Sequence, residues 1–563
     1  MKKFVTFAVV LCSIFCLSAQ NTTENLYDYP EAYVEISSVS PQQLLQLSRQ
    51  FSVDKVVKNE SLFDVRLWLG PRDYADFLNL GLSYSFWRNN LKYGELEMAT
   101  TCEQMAGWDR YPTYSVYCAM MDSFQRRYPS LCRVDTVLAE TPNHHSLLAA
   151  YIGSNMSGEA TRPQFYLASS IHGDEQLGFV LSLRLIDYLL QHYSDDIQVQ
   201  NIVNQIDVWI CPIENPDGMY YRSDDVIGGW SWGGSGSQRS NANGFDLNRD
   251  FPLIGQPTKD SYEPETQAIM EFAARHHFTM SASLHGGSEL LNFPWDTWTE
   301  SQCSHADSDW WWLIGRAFAD TCHKYASSTY FMDEYDGVTP GGDWYVITGS
   351  QQDYMNYYQR VRESTIEISD DKSPDGDELP EYWNSLKASF LHYIEACLNG
   401  ITGMVADSIT GEPLEAKVWV ENHDVNNSDV YSHLPEGKYF RPIKSGLYDV
   451  TFSADGYQSK TVSVQVVDGC AQQLDVQLVP IGVGIGETSV PTFKIYPNPV
   501  GDCLNITYEK GMKSQFGTVY DASGRQLFLF DLPDGSVQLN VSCLAKGLYF
   551  VKIGEKIEKF VRL

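Results

Sequence analysis

Two side chains that commonly bind metal ions, His172 and Glu175, stand three positions apart in the run IHGDE at 171–175. The run follows an apolar stretch at 165–168, and a third candidate ligand, His285, follows a second stretch of small and apolar residues. Two histidines and a glutamate form the ligand set of a catalytic zinc ion whose fourth position stays open to water. One short match of this kind is weak, so the assignment depends on the residues between and after these three.

A zinc site that hydrolyses a bond also needs a carboxylate that is not a ligand, to take a proton from water and pass it to the leaving group. Glu367 is the candidate, because the alternating residues around it predict a strand on which Glu363, Thr365 and Glu367 share one face. Burying two carboxylates on one face is expensive in a strand with a purely structural role. The alternative is an ordinary strand face in contact with solvent.

Two arginines are the next candidates. The loop GFDLNRDFP at 244–252 brings Asn248 and Arg249 together. An Arg guanidinium with a neighbouring amide suits a terminal carboxylate, which accepts paired hydrogen bonds. Arg239, ten positions before Arg249, can supply positive charge where an oxyanion forms.

The elements that position these residues are predicted from hydrophobic patterns. From about residue 101 to 398, apolar strands alternate with helical stretches, which is typical of an α/β domain. Residues 180–192 predict a helix and 207–210 a buried strand. The Gly-, Ser- and Asn-rich residues 228–244 predict a long surface loop.

A small unit precedes this domain. Residues 33–36 and 64–69 alternate like strands, and 41–51 and 71–80 have the pattern of amphipathic helices. Strand, helix, strand and helix in so few residues suggest a split β-α-β unit. Because it lies upstream of the candidate site, we interpret 20–98 as a pro-segment that could cover that site, with an ordinary accessory domain as the alternative.

The pattern of residues changes at Gly400. Short strands with turn signals predict an all-β sandwich over 399–480, which leaves 99–398 for the α/β domain. The Gly-rich residues 481–491 predict a linker, and 492–563 a final all-β unit.

The 563 residues are too many for one core and predict several domains. The chain begins with two lysines and an apolar segment at 4–17, which predicts a signal peptide over 1–19. No other segment is long and apolar enough to span a bilayer, so we expect an exported protein without a transmembrane helix. The formal net charge of −32 argues against a nucleic-acid partner, which needs basic surfaces.

Ten of the twelve cysteines lie beyond the predicted signal peptide. Because an exported protein meets an oxidising environment, Cys303 with Cys322 and Cys503 with Cys543 are candidate disulfide pairs. The cysteine spacing fits no zinc knuckle.

Four segments together resemble the zinc metallocarboxypeptidases, and within them the carboxypeptidase N/E/D subfamily. These segments are IHGDE at 171–175, NPDG at 215–218, RSNANGFDLNR at 239–249 and LHGG at 284–287. The resemblance covers roughly residues 105–480 and is specific, because the motifs occur in the family's order. It implies a mixed-sheet α/β domain with helices on both faces and one zinc ion, held by His172, Glu175 and His285.

The resemblance also implies roles for the other candidates. Glu367 falls on the family's general base, and Arg239 on the residue that assists the scissile carbonyl. The terminal carboxylate of the substrate falls on Asn248 and Arg249. Tyr345 matches the tyrosine that closes over the substrate.

Two further residues bear on which C-terminal side chain of the substrate is accepted. Asp296, in the run FPWD at 293–296, matches the acidic residue that receives a basic C-terminal side chain, and Gln352 matches its companion in that pocket. A partly buried carboxylate pairs with Lys or Arg and penalises apolar side chains. We therefore predict release of C-terminal Lys or Arg from peptides and proteins.

The segments after residue 399 carry two more resemblances. The sandwich resembles the transthyretin-like domain that follows the catalytic domain in this subfamily, through DSITGEPL at 407–414 and DGY at 455–457. The last unit resembles the C-terminal sorting domain of type nine secretion substrates, which implies the secretion machinery as a partner. We expect a monomer that passes through the periplasm and outer membrane and is secreted or attached to the cell surface.

Two alternatives remain open at this point. The same zinc site could act on cell-wall peptides, whose termini are also carboxylates. A protein of a different class, a non-catalytic surface binding protein, is the second alternative.

Overall fold

The computed structural model divides into two compact units, Met1–Pro480 and Ile481–Leu563. The structure describes residues 25–87, 96–156, 161–228, 236–326, 329–481, 493–508, 516–532, 535–554 and 556–563. The predicted signal peptide and all but Ile481 of the predicted linker therefore lie outside the described residues.

All described helices belong to the first unit. The α-helices are α1 (Pro41–Gln50), α2 (Tyr74–Asn79), α3 (Tyr114–Arg127), α4 (Leu177–Gln191), α5 (Ile197–Gln205), α6 (Pro216–Met219), α7 (Pro264–Arg275), α8 (Ser308–Tyr325), α9 (Asp333–Gly337), α10 (Gly341–Trp344), α11 (Gln351–Tyr357) and α12 (Leu379–Glu395). Short 3-10 helices span Leu26–Asp28, Cys102–Gly107, Leu247–Arg249 and Ala396–Leu398.

The strands fall into several sheets. Those of the first unit up to its central sheet are β1 (Ala32–Val39), β2 (Ser52–Asn59), β3 (Leu62–Leu69), β4 (Ser85–Phe86), β5 (Met98–Ala99), β6 (Tyr111–Pro112), β7 (Cys132–Leu138), β8 (Leu147–Ile152), β9 (Gln164–Ser169), β10 (Asp207–Cys211), β11 (Phe278–His285), β12 (Ser288–Phe293), β13 (Val338–Pro340) and β14 (Arg362–Ser369). Then follow β15 (Gly400–Asp407), β16 (Lys417–Val420), β17 (Val430–Tyr431), β18 (Lys438–Arg441), β19 (Gly446–Ser453), β20 (Tyr457–Gln458), β21 (Lys460–Val466), β22 (Ala471–Gln473) and β23 (Val476–Pro480).

The residues before the α/β domain form a four-stranded sheet in the order β2-β3-β1-β4, with α1 and α2 beside it. Helix α1 begins where predicted, because Ser40 caps it and Pro41 occupies its first turn. The sequence prediction omits β2, whose residues SVDKVVKN interrupt the apolar alternation with charged side chains. This additional strand becomes important because its first residues reach the candidate site.

The central sheet has eight strands in the order β13-β12-β14-β11-β9-β10-β8-β7. Its inner strands β14, β11, β9 and β10 run parallel, whereas β12, β8 and β7 pair antiparallel with their inner neighbours. Alternate residues of β9 enter different apolar clusters: Phe165 and Leu167 join one with α4 and α12, Tyr166 and Ala168 the other with α7. The predicted mixed-sheet α/β fold with helices on both faces is confirmed.

The predicted helix at 180–192 and the predicted strand at 207–210 correspond to α4 and β10. The predicted loop at 228–244 lies partly outside the described residues, and its described portion contains no helix or strand. Parallel strands β9, β11 and β14 all end at the same edge of the sheet. This carboxyl edge is where open α/β sheets bind their ligands.

After Gly400 the first unit continues as two packed sheets. One has the order β18-β15-β23-β20 with β22 paired to β15, and the other has the order β17-β16-β19-β21. Their apolar core includes Ile401, Val405, Val418, Phe452 and Leu478. This is the predicted all-β sandwich.

The second unit contains β24 (Phe493–Tyr496), β25 (Cys503–Tyr508), β26 (Phe516–Asp521), β27 (Gln526–Asp531), β28 (Ser536–Asn540), β29 (Gly547–Ile553) and β30 (Lys556–Arg562). They form two sheets, β24-β25-β28 and β27-β26-β29-β30, around a core of Phe493, Leu504, Val519, Val551 and Phe560. The unit is all-β, as predicted.

All ten cysteines of the described residues are free thiols, so both candidate disulfide pairs are wrong. The buried Cys322 contacts the hydroxyl of Ser389 at 3.2 Å, and the Cys303 sulfur accepts a hydrogen bond from Asn426. Among the described residues we find no helix with the length and apolar character needed to cross a bilayer.

Candidate metal and substrate site

Three candidate ligands converge at the carboxyl edge of the central sheet. His172 and Glu175 lie in the loop between β9 and α4, and His285 is the last residue of β11. One ligand atom from each lies within 4.8 Å of the others, and all three residues are buried. The two oxygens of Glu175 each lie 3.0 Å from the Nδ1 atom of a histidine. Two imidazoles and one carboxylate are a donor set that fits zinc.

A tight backbone crossing fixes the loop that carries the first two ligands. A Cβ atom on Gly173 would lie 2.2 Å from the carbonyl carbon of Gly218, so only glycine fits there. The side-chain amide of Asn215 donates to the carbonyl oxygens of Ile171 and Arg239, both at 3.1 Å. The NPDG segment therefore holds the ligand loop and the Arg239 loop together.

Asp246 contacts the ring nitrogen of His172 that is not directed at Glu175. Its Oδ1 atom lies 3.0 Å from His172 Nε2, which leaves Nδ1 directed at Glu175. Burial disfavours the Asp246 anion, but Arg239 and His172 outweigh burial and hold the pKa of Asp246 well below its usual range. A carboxylate on the far nitrogen of a ligating histidine fixes the ring and raises its basicity. Asp246 lies within the motif at 239–249, but the motif alone does not indicate this role.

Glu367 lies beside the ligands because β14 and β11 are parallel, with Glu367 as the register partner of His285. Its side chain is buried, and its Oε2 atom has no hydrogen-bond partner. Burial and the nearby charge of Glu175 raise the pKa of Glu367 to about 8. Glu363 is also fully buried, so the alternative of a solvent-exposed strand face is wrong.

The two arginines and Asn248 line the same cavity as the candidate ligands. Arg239 is buried, and its Nη1 atom lies 3.1 Å from Glu175 Oε1. Arg249 donates from Nη1 to the carbonyl oxygen of Asn248 at 2.9 Å, and its Nε atom has no partner. The side-chain oxygen of Asn248 accepts a hydrogen bond from the backbone N–H of Gln351 at 2.9 Å.

Asp296 lines the same cavity. Gln352 donates from Nε2 to Asp296 Oδ1 at 2.9 Å and accepts from the backbone of Thr365 at 2.7 Å. Asp353 accepts from the backbone N–H groups of Asp296 and Thr297 at 2.9 and 3.0 Å. Burial and the neighbouring Asp353 raise the pKa of Asp296 to about 8. A pocket that holds this carboxyl away from water is suited to a cationic partner.

Tyr345 follows directly after α10 and lines the cavity, with its ring packed against the apolar core of the N-terminal domain. All predicted site residues except Gln352, which lies behind Asp296, line this one cavity. The structure thus brings the predicted set together. The lining residues include Asp54, His172, Glu175, Arg239, Asn248, Arg249, His285, Asp296, Tyr345 and Glu367.

The N-terminal domain contributes residues to this site that the sequence analysis missed. Asp54 Oδ1, at the start of β2, lies 2.6 Å from Lys372 Nζ and 3.3 Å from Arg239 Nη1. The adjacent carbonyl oxygen of Val53 accepts from Arg249 Nη2 at 3.3 Å. Arg239, Arg249 and Lys372 are therefore all in contact with strand β2.

A second carboxylate of the N-terminal domain contacts the segment that carries Arg239. The buried carboxylate of Glu31 accepts from the backbone N–H of Arg239 at 2.9 Å and from that of Ser240 at 3.1 Å. Lys372 follows Glu367 by five residues within a charged run, which is a sequence signal that was available. Asp54 and Glu31 have no comparable signal, because only the docking of the two domains brings them to the site.

Comparison with known proteins agrees with this geometry. The chain matches the family model described as "Zinc carboxypeptidase" over residues 117–389, "Carboxypeptidase regulatory-like domain" over 400–479 and "Secretion system C-terminal sorting domain" over 494–562. Carboxypeptidase SOL1 of Arabidopsis thaliana is 32% identical over 369 residues, which are 64% of this chain and 70% of that protein. This chain belongs to the zinc carboxypeptidase family, a family of zinc-dependent hydrolases.

Other relatives are matched over different shares of their length. Carboxypeptidase D of Anas platyrhynchos is 31% identical over 388 residues, which are 66% of this chain but only 27% of that protein. Carboxypeptidase E of Caenorhabditis elegans is 27% identical over 65% of this chain and 86% of that protein. Among solved structures, carboxypeptidase A from Helicoverpa armigera has a TM-score of 0.48 and 17% identity, over 65% of this chain and 98% of that one.

Proposed function

We propose that this chain is an exported zinc metallocarboxypeptidase that hydrolyses the C-terminal peptide bond and releases Lys or Arg. The observation that carries the proposal is the single cavity lined both by the candidate metal ligands and by Asp296. Membership of the zinc carboxypeptidase family supports the reaction. The buried carboxyl of Asp296 and its partner Gln352 support the basic specificity.

One zinc ion, when bound by His172, Glu175 and His285, lowers the pKa of water to about 7 and polarises a carbonyl. Glu367 takes the proton from the attacking water and delivers it to the departing amine; it lines this cavity, and its Oε2 atom has no other hydrogen-bond partner. The guanidinium of Arg239 stabilises the negative charge that develops on the carbonyl oxygen.

The remaining residues orient the substrate. Arg249 and Asn248 bind the terminal carboxylate, and the unpartnered Nε atom of Arg249 is a donor available for it. Asp296 receives the ammonium or guanidinium of the last residue, with Gln352 holding the carboxylate in place. Tyr345 closes over the bound peptide from the rim.

Export is supported by the match of residues 494–562 to a secretion sorting domain. We infer that the secretion machinery is the partner of the second unit, and that the chain crosses the periplasm and outer membrane. The mature protein is then secreted or attached to the cell surface.

We also infer that residues 20–98 act as a pro-segment that keeps the site closed. Support comes from the contacts of β2, which occupy Arg239, Arg249 and Lys372 at once. A substrate's terminal carboxylate needs Arg249, whose Nη2 atom is already donating to Val53. Substrate entry therefore requires the N-terminal domain to move away.

The test is a release assay with peptides ending in Lys, Arg, Leu or Glu and with a cell-wall peptide. The assay uses the full chain before and after limited proteolysis at Arg88 or Lys92, the basic residues that the sequence offers between the two domains. We expect rapid release of Lys and Arg after cleavage, loss of activity with a chelator and recovery with zinc. Equal release of all four residues would contradict the basic specificity, and activity that persists in the chelator would contradict the zinc mechanism.

The role of Glu367 has its own test. Glu367→Gln keeps the shape of the side chain but removes the proton acceptor, so hydrolysis should fall by about 10²–10⁴-fold. Zinc content, measured on the same protein, should stay equal to that of the wild-type protein because Glu367 is not a ligand. Persistent activity would remove Glu367 from the mechanism.

A further inference from the structure

A buried carboxylate joins the α/β domain to the β-sandwich. Asp307, the N-cap residue of α8, accepts from Arg362 Nη2 at 2.7 Å and from Arg441 Nη1 and Nη2, each at 3.0 Å. His423 Nε2 lies 2.8 Å from Asp307 Oδ1, the oxygen that also accepts from Arg441 Nη2. Arg362 begins β14 of the central sheet, whereas Arg441 and His423 belong to the sandwich. The side chain of Asp307 is 0% exposed, so bulk solvent does not screen these contacts.

The network is balanced in charge. Arg441 also donates to the buried Asp424, which gives two carboxylates for two guanidinium groups. Arg362 donates in addition to the carbonyl oxygen of Ser428 in the sandwich at 2.5 Å. Buried ion pairs hold a defined geometry because each partner left alone would be an uncompensated charge. The relative position of the two domains is therefore fixed at Asp307.

A chain of contacts leads from Asp307 to the specificity pocket. The backbone N–H of Asp307 donates to His305 Nδ1 at 3.0 Å. The ring of the buried His305 packs on Trp295, with ring centroids 5.0 Å apart. Trp295 directly precedes Asp296, so its buried indole determines where the pocket carboxylate lies.

The sandwich also reaches the same indole by a second route. Asn427 donates from Nδ2 to the carbonyl oxygen of Tyr357, the last residue of α11, at 3.0 Å. The Tyr357 ring lies against Trp295, with centroids 6.1 Å apart. Helix α11 also carries Gln352 and Asp353, both of which bind Asp296.

We propose that the β-sandwich helps to shape the pocket for basic side chains, and that His305 and Asn427 are positioning residues for Asp296. The proposal rests on the basic specificity proposed above. It assigns the sandwich a task beyond packing: through Trp295 it holds the Asp296 carboxylate in place in the cavity that the candidate metal ligands also line. Small displacements of a binding group cost much in rate, because recognition depends on its geometry.

The experiment compares release of Arg and of Leu by the full chain after the limited proteolysis described above. The variants are Asn427→Ala, His305→Ala and His305→Phe, with Lys444→Met as the control. Lys444 also joins the sandwich to α8, through Asp309 at 4.0 Å, but both side chains are exposed and neither residue lines the cavity. Zinc content and thermal stability are measured for each protein.

We expect Asn427→Ala and His305→Ala to lower the ratio of kcat/KM for Arg over Leu by roughly tenfold, mainly through KM for the Arg peptide. His305→Phe should recover part of the ratio because it keeps a ring against Trp295. Lys444→Met should leave the ratio and zinc content unchanged.

An unchanged ratio in Asn427→Ala overturns the proposal, whether or not His305→Ala folds. An equal loss in Lys444→Met also overturns it, because a general loosening of the two domains would then explain the effect. If the wild-type protein itself shows no preference for Arg, the proposed basic specificity has failed, and this inference is withdrawn with it.

Discussion

The carboxylate of Asp54 lies 2.6 Å from the ammonium group of Lys372, which joins the N-terminal domain to the segment just after β14, the strand that carries Glu367. Lys372 also lies 3.1 Å from Asp174 and 3.2 Å from Glu175. Arg239 approaches the same Asp54 oxygen at 3.3 Å. One carboxylate of the N-terminal domain thus faces two cations at the centre of the candidate site.

Reversal of the Asp54 charge should release the N-terminal domain. Asp54→Lys replaces two attractive contacts by repulsion, and loss of a buried pair costs about 3 kcal/mol. We expect activity of the uncleaved chain to rise at least roughly tenfold, because more molecules have an open site. The measurement is release of Arg before proteolysis. Glu60→Lys is the control, since Glu60 is exposed in the turn between β2 and β3; equal activation by that variant would contradict the inhibitory contact.

Binding of basic substrates should depend on the ionisation of Asp296. Burial and the neighbouring Asp353 raise its pKa to about 8, so the carboxyl carries a proton at lower pH and must lose it to pair with a cation. Affinity for an Arg-ending peptide should therefore rise with pH up to about 8, by at most about tenfold per pH unit, and then level off. The test is KM against pH for Arg-ending and Leu-ending peptides. Asp296→Asn should abolish the difference between them, and a parallel trend in the wild-type protein would contradict the assignment.

Asp246 should control metal affinity without binding the metal. Asp246→Asn weakens the hydrogen bond to His172 Nε2, and such changes cost roughly 10–100-fold in metal affinity. Competition between the protein and a zinc chelator of known affinity measures the effect independently of activity. Asp250→Asn is a matched control, because Asp250 is buried nearby but binds Glu263 and Lys259. Equal affinities of the two variants would exclude a special role for Asp246.

Gly341 should set the space around Asp296. A Cβ atom at Gly341 would lie 2.1 Å from Asp296 Oδ1, so Gly341→Ala must displace that carboxylate. We expect kcat/KM for Arg-ending peptides to fall by about 10–100-fold, with a much smaller change for Leu-ending peptides. Gly501→Ala serves as the control, because no atom lies within 4 Å of its Cβ position. A uniform loss for both peptides would indicate general damage to the site.

The α/β fold and the convergence of the candidate ligands could be predicted because their signals are local. His172 and Glu175 share one loop, and the alternation around Glu367 revealed the strand that carries it. Pairing of β11 with β14 then brings His285 and Glu367 side by side. Residues within a few positions of each other carried these predictions.

The docking of the N-terminal domain could not be predicted in the same way. The hydroxyl of Ser52 binds Asp246 across 194 positions of sequence, and neither residue type indicates that partner. Asp307 has the position of an ordinary helix cap, and only the packed structure gives it two arginines. The disulfide prediction failed for a related reason, because an oxidising environment permits disulfides but does not bring two cysteines together.

The register of β14 against β11 has a consequence for how this protein can vary. Insertion or deletion of one residue within β14 before Glu367 would turn that side chain to the opposite face of the sheet, into the cluster that contains Ile366 and Ile368. Changes of length in the surface connections would leave the pairing intact. Homologous chains can therefore differ in loop length, but the distance from the start of β14 to Glu367 should be constant among active members.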